Sequence, residues 1–190
     1  NKTLSRLNSI SKIIPNFKTE LSFTINGKKC KNYLNPKYKN IFKHIEKSLY
    51  VNNFCPIHGD PTFSNFKINN NLKPYFFDPR GYFANEKSIY GDANYDYAKL
   101  YYSAVGNYDL FNRRKFKLYI NNNTIEILLD NILEHDVTNV FKSFSKNNFY
   151  KIKILHGLIW LSLSGYVKDD IDSILASFYN GLYWLNEALD

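Results

Sequence analysis

The chain contains no methionine, two cysteines and four arginines, and each shortage narrows what it can be. Cys30 and Cys55 form neither a CxxC pair nor a Cys/His cluster with zinc spacing, so a reduced, cytoplasmic protein is the simple reading. Long apolar runs are also missing. The longest, ILHGLIWLSLSGY from Ile154 to Tyr166, is too short to cross a bilayer and carries His156, so it reads as a buried helix and no membrane partner is expected. The eight glycines (27, 59, 81, 91, 106, 157, 165 and 181) include no GxGxxG cluster to wrap a phosphate. With no signal peptide, no methionine and Asn1 as first residue, the chain is expected to be a piece of something longer.

What is present suffices for one domain. The 190 residues are 44% hydrophobic and 17% aromatic, ample for a substantial core. The net charge of +8 comes mainly from lysine in a chain equally rich in asparagine, which reads as a compositional bias. Its basic residues are scattered, with Lys28-Lys29 and Arg113-Arg114-Lys115 the densest spots. A nucleic-acid groove wants a concentrated basic stripe with interleaved aromatics, so nucleic acid is disfavoured as a partner, whereas phosphate-bearing substrates suit the surface equally well. Nothing in the pattern assigns an oligomeric state.

Periodicity supplies the elements. Leu4, Leu7, Ile10 and Ile14 form a helical stripe ended by Pro15, and Asn26-Gly27 joins two strand-like runs from Leu21 to Tyr33 into a β-hairpin. Pro36 opens a second helix, with Tyr38, Ile41, Phe42, Ile45 and Leu49 on its buried face. Phe66 to Asn69 and Leu72 to Phe77 form a small hairpin, and Gly91 to Gly106 a helix with Asp92 near its start. Asn121-Asn122-Asn123 marks another hairpin or a strand leading into a helix. Three helices follow, over roughly 130–145, 148–165 and 168–189. The fold class is therefore α+β, mainly α, with short β-hairpins and a helical bundle.

The most informative stretch is CPIHGDPTFSNFKINNNLKPYFFDPRG, from Cys55 to Gly81. Asn65 follows Asp60 by five residues, and Asp78 follows Asn65 by thirteen across the hairpin. Phosphoryl transfer from ATP needs a carboxylate to orient or accept the proton of the attacking hydroxyl, and oxygen ligands to hold Mg2+ against the phosphates. Asp60 can supply the first, and Asn65 with Asp78 the second. Two gathered carboxylates repel each other unless a cation lies between them.

His58-Gly59-Asp60 with Asn65, then Asp78-Pro79-Arg80-Gly81, Gly91-Asp92 and Asp96-Tyr97-Ala98, resemble the aminoglycoside phosphotransferase and choline kinase family, the small-molecule branch of the protein-kinase-like fold. The DPRG form is similar to a bacterial subgroup linked to surface-polysaccharide or sugar metabolism. The resemblance implies a catalytic base at Asp60, Mg2+ and nucleotide contacts at Asn65 and Asp78, and ordering of the catalytic loop by His58 and Asp96. It implies ATP as phosphoryl donor and a hydroxyl of a small polar molecule, a sugar or amino alcohol, as acceptor. Residues 1–190 would then be a single carboxyl-terminal lobe lacking the family's amino-terminal lobe, which carries the loop over the phosphates and a strand lysine. A noncatalytic kinase-like binding or scaffold module is the alternative.

Plainer roles stand beside these. Asp60 and Asp78 are also ordinary turn residues, and Asp92 reads best as a helix cap. Arg80 can pair with a carboxylate or meet a phosphate. His44, His135 and His156 lack a ligand pattern, and Trp160, Trp184 and most tyrosines read as core. Tyr82, Phe83, Tyr101 and Tyr102 are further candidates for the wall of an acceptor pocket.

Overall fold

A computed structural model describes residues 2–83, 86–130 and 137–190. Its centre is a pair of long helices, α6 (Phe149–Ser164) and α7 (Ile171–Leu189). They approach closely because glycines face the partner backbone. A Cβ added at Gly157 would sit 2.8 Å from the Leu185 nitrogen, and one at Gly181 2.6 Å from the Leu161 nitrogen. Outside α6 lie α1 (Lys2–Ser9) and α3 (Ala93–Ala104), while a four-stranded sheet packs on α7.

That sheet joins two distant hairpins. Strands β1 (Ser22–Ile25) and β2 (Lys28–Lys31) pair antiparallel around Asn26-Gly27, both residues at positive φ as the tight turn requires. Strands β7 (Phe116–Asn121) and β8 (Thr124–Leu129) form the second hairpin, so the Asn121-Asn122-Asn123 run is a hairpin turn. β8 lies parallel to β1, with Thr24 opposite Thr124 and Ile25 opposite Ile125, giving the order β2-β1-β8-β7. Ile25 and Ile125 are fully buried against the helices.

Several boundaries differ from the sequence expectation for local reasons. α1 stops at Ser9, not Ile14, because the Ser9 and Ser11 hydroxyls bond the carbonyls of Arg6 and Asn8 and the chain tightens into i→i−3 turns. Leu7, Ile10 and Ile14 are buried all the same. The helix expected from Pro36 divides into a 3-10 turn (Pro36–Tyr38), capped by the Asn35 side chain, and α2 (Ile41–Leu49). Of the helix expected over 130–145, α5 (Thr138–Ser145) is observed; His135 and the other residues of 131–136 lie outside the described set. The chain is α+β, and no helix among the described residues is long and apolar enough to cross a membrane. Both cysteines are free.

His156 is wholly buried in α6, where its Nε2 accepts the Trp160 indole N–H at 2.9 Å and its Nδ1 has no partner among the described residues. Burial pushes its pKa down from 6.5 to about 3. The unfolded chain therefore takes up a proton first as pH falls, so stability is fully present above pH 6.5 and drains away toward about pH 3. The full loss is roughly 5 kcal/mol. Melting temperature should fall steeply between pH 6 and 4, and His156→Gln should flatten that slope; an unchanged slope in the variant would remove His156 as its source.

Candidate functional site

The segment from Cys55 to Asp96 is held at both ends. Strand β3 (Cys55–Pro56) pairs antiparallel with β6 (Tyr90–Gly91), and α3 starts directly afterwards, with the Asp92 side chain accepting the Asn94 N–H as N-cap. Within one turn of that start, Asp96 turns its carboxylate on the 57–65 loop. Its Oδ2 accepts the His58 N–H at 2.7 Å and its Oδ1 the Gly59 N–H at 2.8 Å. Ser103 Oγ accepts from Phe63 N at 3.1 Å, and Asp109 Oδ1, on α4 (Tyr108–Asn112), from Ser64 N at 3.0 Å. Three side chains thus fix the loop by its backbone.

His58 links this loop to the next. Its Nε2 lies 3.0 Å from the Phe77 carbonyl, so Nε2 must carry the proton, and Nδ1 is left to accept the Asp60 N–H at 3.3 Å. Asn65 performs the matching link: its side-chain Nδ2 donates to the Asp60 carbonyl at 2.9 Å, and its main-chain carbonyl accepts from Phe77 N at 3.0 Å. The hairpin of β4 (Phe66–Ile68) and β5 (Pro74–Phe76) therefore returns the chain beside its starting point, immediately before Asp78. Asp78 has φ +59°, a conformation an aspartate adopts sparingly. Gly59, at φ +81°, faces Arg80 so closely that an added Cβ would lie 2.9 Å from the Arg80 Cβ.

Asn65 is bonded to the Asp60 backbone and to Phe77, the neighbour of Asp78; Asp60 and Asp78 line one cavity, and His58 and Asp96 bond the same loop. Arg80 bonds the Tyr95 hydroxyl at 2.8 Å and stands 3.8 Å from Asp60 Oδ2. One participant escaped the sequence reading. The Lys99 ammonium, almost fully buried, sits 2.8 Å from Asp60 Oδ1 and over the Tyr102 ring, although no donor is aligned on that oxygen as a hydrogen bond. Burial lowers the Lys99 pKa, against the pull of Asp60. Asp96, Lys99 and Ser103 follow an i, i+3, i+7 spacing on α3, so a polar stripe facing the loop was available as a signal in an otherwise aromatic segment.

Two oxygen donors here could hold one hard cation. Asn65 spends its side-chain N–H on Asp60 and keeps its side-chain Oδ1, and the exposed Asp78 carboxylate has no hydrogen bond or ion pair among the described residues. No group of three His, Cys, Asp or Glu gathers at metal distance among those residues, but Mg2+ uses one or two protein oxygens plus water and phosphate.

Asp60 and Asp78 open onto a cavity of about 580 Å³ between α1, α3 and α6. Tyr82, Phe83 and Tyr102 contribute to its wall, whereas Tyr101 packs on Phe141 and His156 in the core.

Removing the clamp gives a direct check on the loop. Asp96→Asn leaves one of its two N–H bonds facing an amide that can turn its own N–H toward it, at a cost of about 1–3 kcal/mol. Hydrogen exchange at the His58 and Gly59 amides should accelerate well beyond exchange in α6; equal protection in variant and parent would contradict the clamp.

Comparisons with family models, with curated proteins and with solved structures found no match to the chain.

Proposed function

We propose that the chain is the phosphoryl-transfer half of an ATP- and Mg2+-dependent small-molecule kinase, acting on a hydroxyl. The observation that carries this reading is that Asn65 joins the two ends of the hairpin, its side chain donating to the Asp60 carbonyl and its main-chain carbonyl accepting from Phe77, the residue before Asp78, while Asp60 and Asp78 line one cavity.

In this reading the acceptor hydroxyl lies against the Asp60 carboxylate, which orients it and takes its proton as the oxygen bonds to the γ-phosphorus. The bond from that phosphorus to the β,γ-bridging oxygen breaks, and ADP leaves with the bonding pair. Lys99 and Arg80 hold Asp60 in place from two sides. Asn65 and Asp78 would hold Mg2+, which supplies neutralisation of phosphate charge. Asp96 and His58 act as positioning residues. The protein-kinase-like lobe and the likeness to the aminoglycoside phosphotransferase and choline kinase family belong to the same proposal.

A scaffold module is the second reading, favoured by the lack of any glycine-rich phosphate loop in the sequence. Titration with ATP, with and without Mg2+, separates the two. Phosphotransfer predicts Mg2+-dependent binding that Asp78→Asn weakens by about tenfold or more. Equal binding with and without the metal, in parent and variant, would favour the scaffold.

A further inference from the structure

The cavity beside Asp60 has an unbalanced lining. Lys2, Arg6, Arg80 and Lys99 face two carboxylates, Asp60 and Asp78. Asp60 already stands between Lys99 and Arg80, at 2.8 and 3.8 Å. Asp78, on the phosphate side in the reading above, is accounted for by a cation. Lys2 and Arg6 are left over, and neither has a carboxylate partner among the described residues.

These two cations are placed by the fold. Arg6 reaches α6, where its Nη1 donates to Ser162 Oγ at 2.7 Å and its guanidinium lies over the Tyr166 ring. That leaves Nε and Nη2 without an acceptor among the described residues, the forked pair that suits a phosphate or carboxylate. α1 cannot drift, because the Arg6 backbone presses on Gly165: a Cβ there would lie 2.4 Å from the Arg6 carbonyl oxygen. Leu7, 1% exposed, anchors the same turn. Lys2 and Arg80 lie over one ring, Tyr82, at 5.3 and 5.4 Å, which joins the cations into a continuous wall. Arg6 is also near enough to Lys99 to help depress its pKa.

We infer that the acceptor is an anionic hydroxyl compound, a sugar or polyol already carrying a phosphate or carboxylate, whose charged group is held by Arg6 and Lys2 while its hydroxyl meets Asp60. The inference rests on the phosphotransfer reading for which end reacts, and it narrows the acceptor to one charge class. A protonated amino alcohol would enter against uncompensated positive charge. The tyrosines beside the cations, Tyr82 and Tyr166, offer ring faces and hydroxyls suited to a polyol.

Three probes of one ring shape and different charge test this on the chain itself: glucose 6-phosphate, glucose and glucosamine, titrated by calorimetry at concentrations up to about 10 mM. Glucose 6-phosphate should bind measurably and the other two at least about tenfold more weakly. Lys2→Gln/Arg6→Gln keeps a donor for Ser162 and should weaken glucose 6-phosphate by about tenfold or more while sparing Mg2+-ATP. Lys2→Gln alone, at an exposed position, carries the same test should the double variant fail to fold. Glucosamine binding as tightly as glucose 6-phosphate, absence of glucose 6-phosphate binding, or a double variant that weakens only Mg2+-ATP would overturn the inference. ADP formation, measured separately, addresses the phosphotransfer reading: charge-selective binding without it leaves the anion pocket standing and removes the kinase.

Discussion

On the phosphotransfer proposal, Asp60→Asn in the complete protein should lower phosphoryl transfer by about 10²–10⁴-fold, the range a positioned general base contributes. Asparagine keeps the size of the side chain but cannot take the hydroxyl proton. The substitution also strands Lys99, which is 8% exposed and has Asp60 as its carboxylate partner. Leaving a buried cation unpaired costs about 3–5 kcal/mol unless it sheds its charge, and burial already lowers the Lys99 pKa, so proton loss is the cheaper course. The chain should therefore remain folded with diminished stability. Adding Lys99→Met should recover stability without recovering turnover, which separates chemistry from folding. Steady-state ADP release with urea melts on the three proteins measures both; unchanged turnover in Asp60→Asn would sink the assignment of the base.

Trp160→Ala should remove about 3–5 kcal/mol of stability, a large share of the roughly 5–15 kcal/mol available to a folded domain. Trp160 is fully buried and meets Tyr102 and Phe111 edge-on at centroid separations of 4.7 and 4.9 Å. Its indole N–H is the donor to His156 Nε2. Loss of the ring orphans that nitrogen and unseats Tyr102, which stacks on Tyr108 and lies beneath the Lys99 ammonium. Trp160→Phe should lose clearly less, because the edge-on packing survives and only the hydrogen bond goes. Equal midpoints for the Ala and Phe variants in urea would show that packing is not the main contribution.

How far the sequence revealed these arrangements depended on the range of the interactions. Asn26-Gly27, the hairpin ending before Asp78 and the Asp92 cap are local, and each was legible because a few neighbouring residues decide the backbone. The Asp96 clamp was legible too, through the motif and not through periodicity. The early end of α1 was missed because hydrophobic spacing continues to Ile14 while serine hydroxyls compete for the carbonyls. Lys99 was missed because an isolated lysine reads as solvated, and only the approach of the 57–65 loop to α3 gives it a buried partner. Arg6 was invisible as a pocket residue for the same reason: its position depends on Gly165, far along the chain. The four-stranded sheet could not be anticipated from two separate hairpins, each of which satisfies the same local pattern whether or not they meet.

That meeting has a kinetic consequence. Thr24 pairs with Thr124 and Ile25 with Ile125, so one ladder joins residues a hundred positions apart and encloses the whole 57–65 loop. Each hairpin can zip on a microsecond scale, but the parallel junction must wait for a long chain closure and for the helices that cover its inner face. The junction is therefore expected to form late, after the rate-limiting barrier. Shortening Ile25 or Ile125 should chiefly speed unfolding and leave the refolding rate nearly constant, the mark of contacts absent from the transition state.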